Sequence, residues 1–174
     1  MRTLQQIILV LILASAPTAK ALERGAIELG ADASMSYFTI SPGGTFTLDL
    51  PDQIRAGVFV ARNTAVVSRL ATVIVNPSSG HQSANSYALG ITIYKLSPGQ
   101  RSAIVFEAMG LVDFLTGRNK GSQFGIGFGA GFQGLYRAIH PRVELVAEYR
   151  FESEFVSTST IKVLFGFSFY GTKK

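Results

Sequence analysis

His81 and His140 are the only histidines of this 174-residue chain, which has no cysteine, so nucleophilic or metal chemistry must be sought around them. His81-Gln82-Ser83-Ala84-Asn85 sets an imidazole two residues from a hydroxyl, the pair a hydrolase uses as base and nucleophile. Such a pair also needs an orienting acid within hydrogen-bond reach, and no carboxylate follows until Glu107. The segment lies in a Gly/Ser-rich stretch, Asn76 to Asn85, that reads as a polar loop. His140 precedes Pro141 in a stretch that reads as a turn, so its imidazole is expected to be exposed. Two separated histidines without thiolates cannot build a metal cluster with their neighbours. No catalytic residue, metal site or cofactor is therefore expected.

The remaining polar chemistry is a matter of parity. Glu28 and Asp32 fall on one parity of an early segment, and Glu144, Glu148, Arg150 and Glu152 on one parity of a late one. A period of two places them on one face of extended strands. The question is what kind of strand protein would hold charges in that way.

Charged residues make up 16% of the chain, while 18 Gly and 13 Phe are high for the length. Such a balance suits an outer surface that is not wholly in water. Met1 to Ala21 reads as a cleavable secretory signal: Arg2 is the charged start, Ile7 to Ala14 the apolar core and Ala19-Lys20-Ala21 the cleavage site. The apolar core is too short for a membrane helix, which needs about 20 residues. The division is thus 1–21 signal peptide and 22–174 one domain. Loss of Arg2 and Lys20 lowers the formal charge from +5 to +3, with no Lys/Arg block, so nucleic acid is not an expected partner.

After Ala21 there is no helical period. Ile27, Leu29, Ala31, Ala33, Met35 and Tyr37 alternate with Glu28, Gly30, Asp32, Ser34 and Ser36. Val143, Leu145, Ala147, Tyr149 and Phe151 alternate with the late acidic parity, and Ile161, Val163, Phe165, Phe167 and Phe169 with Lys162, Leu164, Gly166 and Ser168. Phe124 to Phe132 alternates apolar residues with Gly125, Gly127, Gly129 and Gly131, a bare face that makes space for bulky side chains from across a narrow interior. Thr45 to Val60 is a long strand bent near Pro51, and Ala65 to Val75, Ser86 to Leu96 and Arg101 to Leu115 bring the count to about eight. The joints Thr39 to Gly44, Asn76 to Asn85, Thr116 to Gln123 and Ser153 to Thr160 would form one set of loops.

Alternation alone does not say which face is wet, and a soluble lipocalin-like barrel alternates too. The low charge, the Phe and Tyr on the opposite parity and strand lengths of about ten, enough to cross the hydrocarbon at a tilt, favour lipid outside and charge inside. The expected fold is all-β, a closed antiparallel transmembrane β-barrel of about eight strands. Its lumen would hold Glu28, Asp32, Arg55, Arg69, Glu107, Asp113, Glu144, Glu148, Arg150, Glu152 and Lys162 as a paired network, because an unpaired confined charge costs several kcal/mol. An ion or proton path is the functional alternative for the same residues.

With Ile27-Glu28-Leu29-Gly30-Ala31, Arg55 to Val60, Phe124 to Phe132 and Val163 to Tyr170 in view, the chain resembles the small outer-membrane β-barrel proteins of Gram-negative bacteria. The resemblance covers nearly the whole chain after Ala21. It implies a monomer in the bacterial outer membrane, in contact with outer-membrane lipids and lipopolysaccharide, delivered by periplasmic chaperones and the outer-membrane assembly machinery. It also implies that Val163, Phe165, Phe167, Phe169 and Tyr170 form the assembly signal, here followed by Gly171-Thr172-Lys173-Lys174 rather than ending on Phe. His81 to Asn85 resembles the His-x-Ser-Asn stretch of outer-membrane lipid A deacylases, but Ala84 interrupts it. The expected function is non-enzymatic, in envelope structure or surface contacts. A narrow porin-like channel or small-molecule carrier is the alternative, and a lipid A-modifying hydrolase a weaker one.

Overall fold

A computed structural model describes residues 22–40, 43–75, 82–116, 120–136, 139–151 and 157–171. Residues 1–21, the expected signal segment, lie outside them, as do Glu152 and His81. Eight strands follow in order: β1 (Ile27–Ile40), β2 (Gly43–Ala61), β3 (Thr64–Val75), β4 (Gln82–Leu96), β5 (Ser102–Thr116), β6 (Gly121–Gly134), β7 (His140–Arg150) and β8 (Thr158–Gly171). Each pairs antiparallel with its sequence neighbours, and β1 pairs with β8, which closes the barrel. Closure leaves no unpaired sheet edge, the condition for placing strands where no water can satisfy the backbone.

The bend expected near Pro51 is a register shift. Asp32 faces Gln53 and Ser34 faces Asp49, so β2 carries extra residues around its proline. The connections are shorter than the turn-prone residues suggest. β1 runs to Ile40 and β2 starts at Gly43, β6 starts at Gly121 and β8 at Thr158, all inside stretches that read as loops. Once the apolar stripe ends, both parities turn polar and alternation fades, yet the hydrogen-bond ladder continues.

One end of the barrel carries both termini, since Ile27 pairs with Gly171. At that end Arg62-Asn63 makes the tight β2–β3 turn, with Asn63 at φ 62°, a conformation asparagine tolerates well. The segment before β1 folds inward there. Gly25 N–H donates to Phe59 O at 2.7 Å and Asn63 N–H to Leu22 O at 2.9 Å. Gly25 sits at φ 86°, which only glycine adopts cheaply, and this turn lets Leu22 and Ala26 enter the interior. Leu22, Ala26, Phe59, Ala65, Val67, Tyr94, Ala103, Val105 and Tyr170 form an apolar plug at this end. A second buried cluster, Met109, Leu111, Val146 and Leu164, lies further along the lumen.

Candidate functional site

Strand parity places the charges. In β2, Gln53, Arg55, Gly57 and Phe59 are buried while Ile54, Ala56, Val58 and Val60 are exposed, and β5 and β7 repeat the alternation. The exposed set includes Leu29 (55%), Leu89 (64%), Phe128 (59%) and Ile161 (54%), whereas Glu28, Arg55 and Glu144 are 0% exposed. An apolar exterior around a charged interior is the arrangement of a barrel solvated by lipid rather than water.

Arg55 is the hub of the interior. Its Nε donates to Glu28 Oε1 at 3.1 Å, its Nη1 to Glu107 Oε2 at 2.5 Å, and its Nη2 to Thr92 Oγ1 at 3.0 Å and Tyr94 Oη at 3.1 Å. Arg55 and Arg69 face each other directly across β2 and β3, a like-charge pair that would be destabilising alone. Glu107 Oε2 relieves it by accepting from both, with Arg69 Nη2 at 2.8 Å, and Arg69 also donates to Glu144 Oε2 at 2.8 Å. Tyr94 and Ser168 hydroxyls donate to Glu28 at 2.7 Å each.

Towards the end opposite the termini lies a second group. Arg150 donates from Nε to Asp113 Oδ2 and from Nη1 to Glu148 Oε2 at 2.8 Å, and Lys162 Nζ stands 3.2 Å from Glu148 Oε2. A cavity of about 20 Å³, room for one water, lies beside this group with Gln53, Arg69, Ser86 and Met109 among its lining residues.

Of the residues singled out in the sequence, Glu28, Asp32, Arg55, Arg69, Glu107, Asp113, Glu144, Glu148, Arg150 and Lys162 take part in these contacts, and Glu152 lies outside the described residues. The network also contains Arg142, which precedes the segment read from Val143 and was not singled out in the sequence. Its Nη2 donates to both oxygens of Asp32 at 2.5 Å, and its Nη1 reaches Glu28 Oε1 at 3.4 Å. The signal for it was available. Arg142 shares the parity of Glu144, Glu148 and Arg150, and extending that strand backwards by two residues reaches it.

The same extension corrects His140. Instead of an exposed turn residue it is the first residue of β7, 3% exposed, with its ring 4.6 Å from that of Tyr170. Pro141 is the second residue of β7 and pairs with Phe167 of β8 alone, since pairing with β6 begins only at Arg142, the kind of strand-end position where proline is tolerated. Gln82 to Asn85 likewise belong to β4 rather than to a loop, and Thr72 Oγ1 donates to Asn85 Oδ1 at 3.0 Å. Of the five residues read as an assembly signal, Phe165 and Phe167 face outward and Val163 and Phe169 are half-buried on the same parity, while Tyr170 points into the plug.

The glycine face of β6 is filled from beside rather than from across. A side chain at Gly129 would meet the Glu144 carboxyl, one at Gly127 would meet Met109 Cε at 3.1 Å, and one at Gly125 would meet Tyr149 O at 2.5 Å. β7 and β5 thus lean their side chains and backbone over the bare strand, and Glu144 uses that room to reach Arg69.

Among the described residues no group of three or more His, Asp or Glu is placed to hold a metal ion. No protein-family model matches the chain, and no curated protein sequence matches it either. Solved structures do match. Neisserial surface protein A superposes with a TM-score of 0.63 at 15% identity, over 84% of this chain and 99% of that one. The N-terminal β-barrel domain of Pseudomonas aeruginosa OprF superposes with a TM-score of 0.52 at 14% identity, over 84% and 98%. Both are small eight-stranded outer-membrane barrels, and the chain shares their fold.

Proposed function

We propose that the chain is a non-enzymatic integral protein of the bacterial outer membrane, a monomer whose lumen is closed and which serves envelope structure or surface contacts. The observation that carries this reading is the interior. Glu28, Asp32, Glu107, Asp113, Glu144 and Glu148 are set against Arg55, Arg69, Arg142, Arg150 and Lys162, near charge balance, with an apolar plug at one end. Eight strands leave an interior that side chains can fill, and the paired network supports such a filling.

Membrane residence rests on the exposed apolar parity and the shared barrel fold, and outer-membrane lipids and lipopolysaccharide are then its surroundings. In this reading residues 1–21 are removed on export, and chaperones and the assembly machinery deliver the remainder. Planar-bilayer recording tests the closed lumen. The unmodified protein, inserted and heat-modifiable on gels, is expected to give no steady openings. Stable conductance would replace this reading with the narrow channel.

A further inference from the structure

Apart from Lys120, exposed at the end away from the termini, the described basic residues of this chain fall into two populations. Arg55, Arg69, Arg142, Arg150 and Lys162 lie in the lumen and each is ion-paired. Arg24, Arg62, Lys95 and Arg101 are exposed, and among the described residues none of the four has an ion-pair partner. All four stand at the end that carries the termini: Arg24 before β1, Arg62 in the β2–β3 turn, Lys95 near the end of β4 and Arg101 just before β5. Glu23 is the only exposed acid described there. Arg137, Lys173 and Lys174 lie outside the described residues.

Their position relative to the apolar exterior is regular. Arg62 follows the exposed Val60 by two residues and Lys95 follows Ile93 by two, while Arg24 and Arg101 precede Ile27 and Ile104 by three. Lys95 stands two residues of extended strand, about 7 Å, past Ile93, and Arg24, Arg62 and Arg101 lie in the turns and bends next to the strand ends, so all four stand beyond the last outward apolar residues of the wall. Tyr136, 63% exposed, lies at the same end, where amphipathic rings suit the interface. Charges carried by four different segments around a rim suit a continuous anionic surface rather than one small anion.

We propose that this rim is a collar for anionic phospholipid headgroups, which it concentrates in the leaflet on the termini side. The inference rests on the membrane reading above. Each charge near an anionic surface favours association about fivefold, so four arranged around a rim give a marked preference over zwitterionic lipid. The preference is electrostatic and exposed, and salt must weaken it.

The test uses the mature chain reconstituted in phosphatidylcholine bilayers with a trace of spin-labelled phosphatidylglycerol or spin-labelled phosphatidylcholine. Electron spin resonance reads the fraction of each label held at the protein surface. The expected result is a severalfold preference for phosphatidylglycerol that falls towards one at about 1 M salt, where the screening length is about 3 Å. R24Q/R62Q/K95Q/R101Q should lose the preference, whereas R24K/R62K/R101K, which keeps every charge, and K120Q, at the opposite end, should retain it. If the quadruple variant does not insert, R24Q/R62Q and K95Q/R101Q should each show partial loss. Equal association of the two labels with the unmodified protein, or a preference that survives removal of the four charges, overturns the collar. Failure of the unmodified chain to insert into phosphatidylcholine would instead refute the membrane reading.

Discussion

Arg55 and Arg150 both lie in the lumen and both meet two carboxylates, yet their surroundings differ. The Arg55 side chain is 0% exposed, as are those of Glu28 and Glu107, and hydroxyls of Thr92 and Tyr94 accept from its Nη2. The Arg150 and Asp113 side chains are each 11% exposed and Lys162 is 16% exposed, beside the one-water cavity. The first group adjoins the apolar plug through Tyr94. Phe59 lies within 5.7 Å of both the Tyr94 and Tyr170 rings, so charge and plug share a wall. The second group stands at the end away from the termini, with access to water. Identical residue types therefore carry different weight: removing a partner strands a dry charge in one place and a hydratable charge in the other.

The largest expected effect follows directly. Arg55→Met should leave Glu28 and Glu107 short of their shared cation and destabilise the barrel by about 3 to 5 kcal/mol. Urea unfolding in phospholipid vesicles would measure it. A loss no larger than that from Arg150→Ala would break the comparison between the two ends.

A substitution on the wall separates position along the barrel from the networks themselves. Phe128, 59% exposed, sits mid-strand in β6, and Phe167, 45% exposed, lies near the termini end of β8. Phe128→Arg should cost about 2 to 4 kcal/mol and Phe167→Arg about 0 to 1, because the penalty for an arginine on the lipid face falls towards the interface. The same unfolding titration checks both. Gly166→Ser cannot serve as the harmless control beside Phe167, since a side chain there would collide with Ala31 O and Asp32. Gly110, which faces outward with only Leu89 O at 3.9 Å, is the better site for one.

Parity made most of this legible in the sequence. A period of two assigns Glu28, Arg55, Glu107 and Glu144 to one face without any knowledge of which strand neighbours which. The inward pairings were not legible, because Arg69 meets Glu144 across a separation of 75 residues that only closure and register determine. Strand ends were misjudged wherever turn-prone residues continue a ladder, which hid Arg142 and His140. The inner plug was missed for a related reason. Ala26 continues the inward parity of Glu28, but Leu22 lies outside any period and its burial depends on the turn at Gly25.

A smaller effect on stability than at Arg55 is expected at Arg150, and it is the most informative about function. Arg150→Ala removes the cation shared by Asp113 and Glu148, but Lys162 still stands 3.2 Å from Glu148, and Ser86 Oγ donates to Asp113 at 2.6 Å. One water can reach whatever remains unpaired, so the cost should be about 1 to 2 kcal/mol, below that at Arg55. The vacated volume would join the neighbouring cavity and widen the lumen from that end. It would still meet Met109, Leu111, Val146 and Leu164, then the Arg55 network and the plug. Planar-bilayer recordings of Arg150→Ala are therefore expected to show brief, unsteady events at most, because one open end does not make a path. Steady cation-selective openings from this single substitution would mean that the Arg150 group alone closes the lumen, and would move the barrier from the plugged end to the hydrated one.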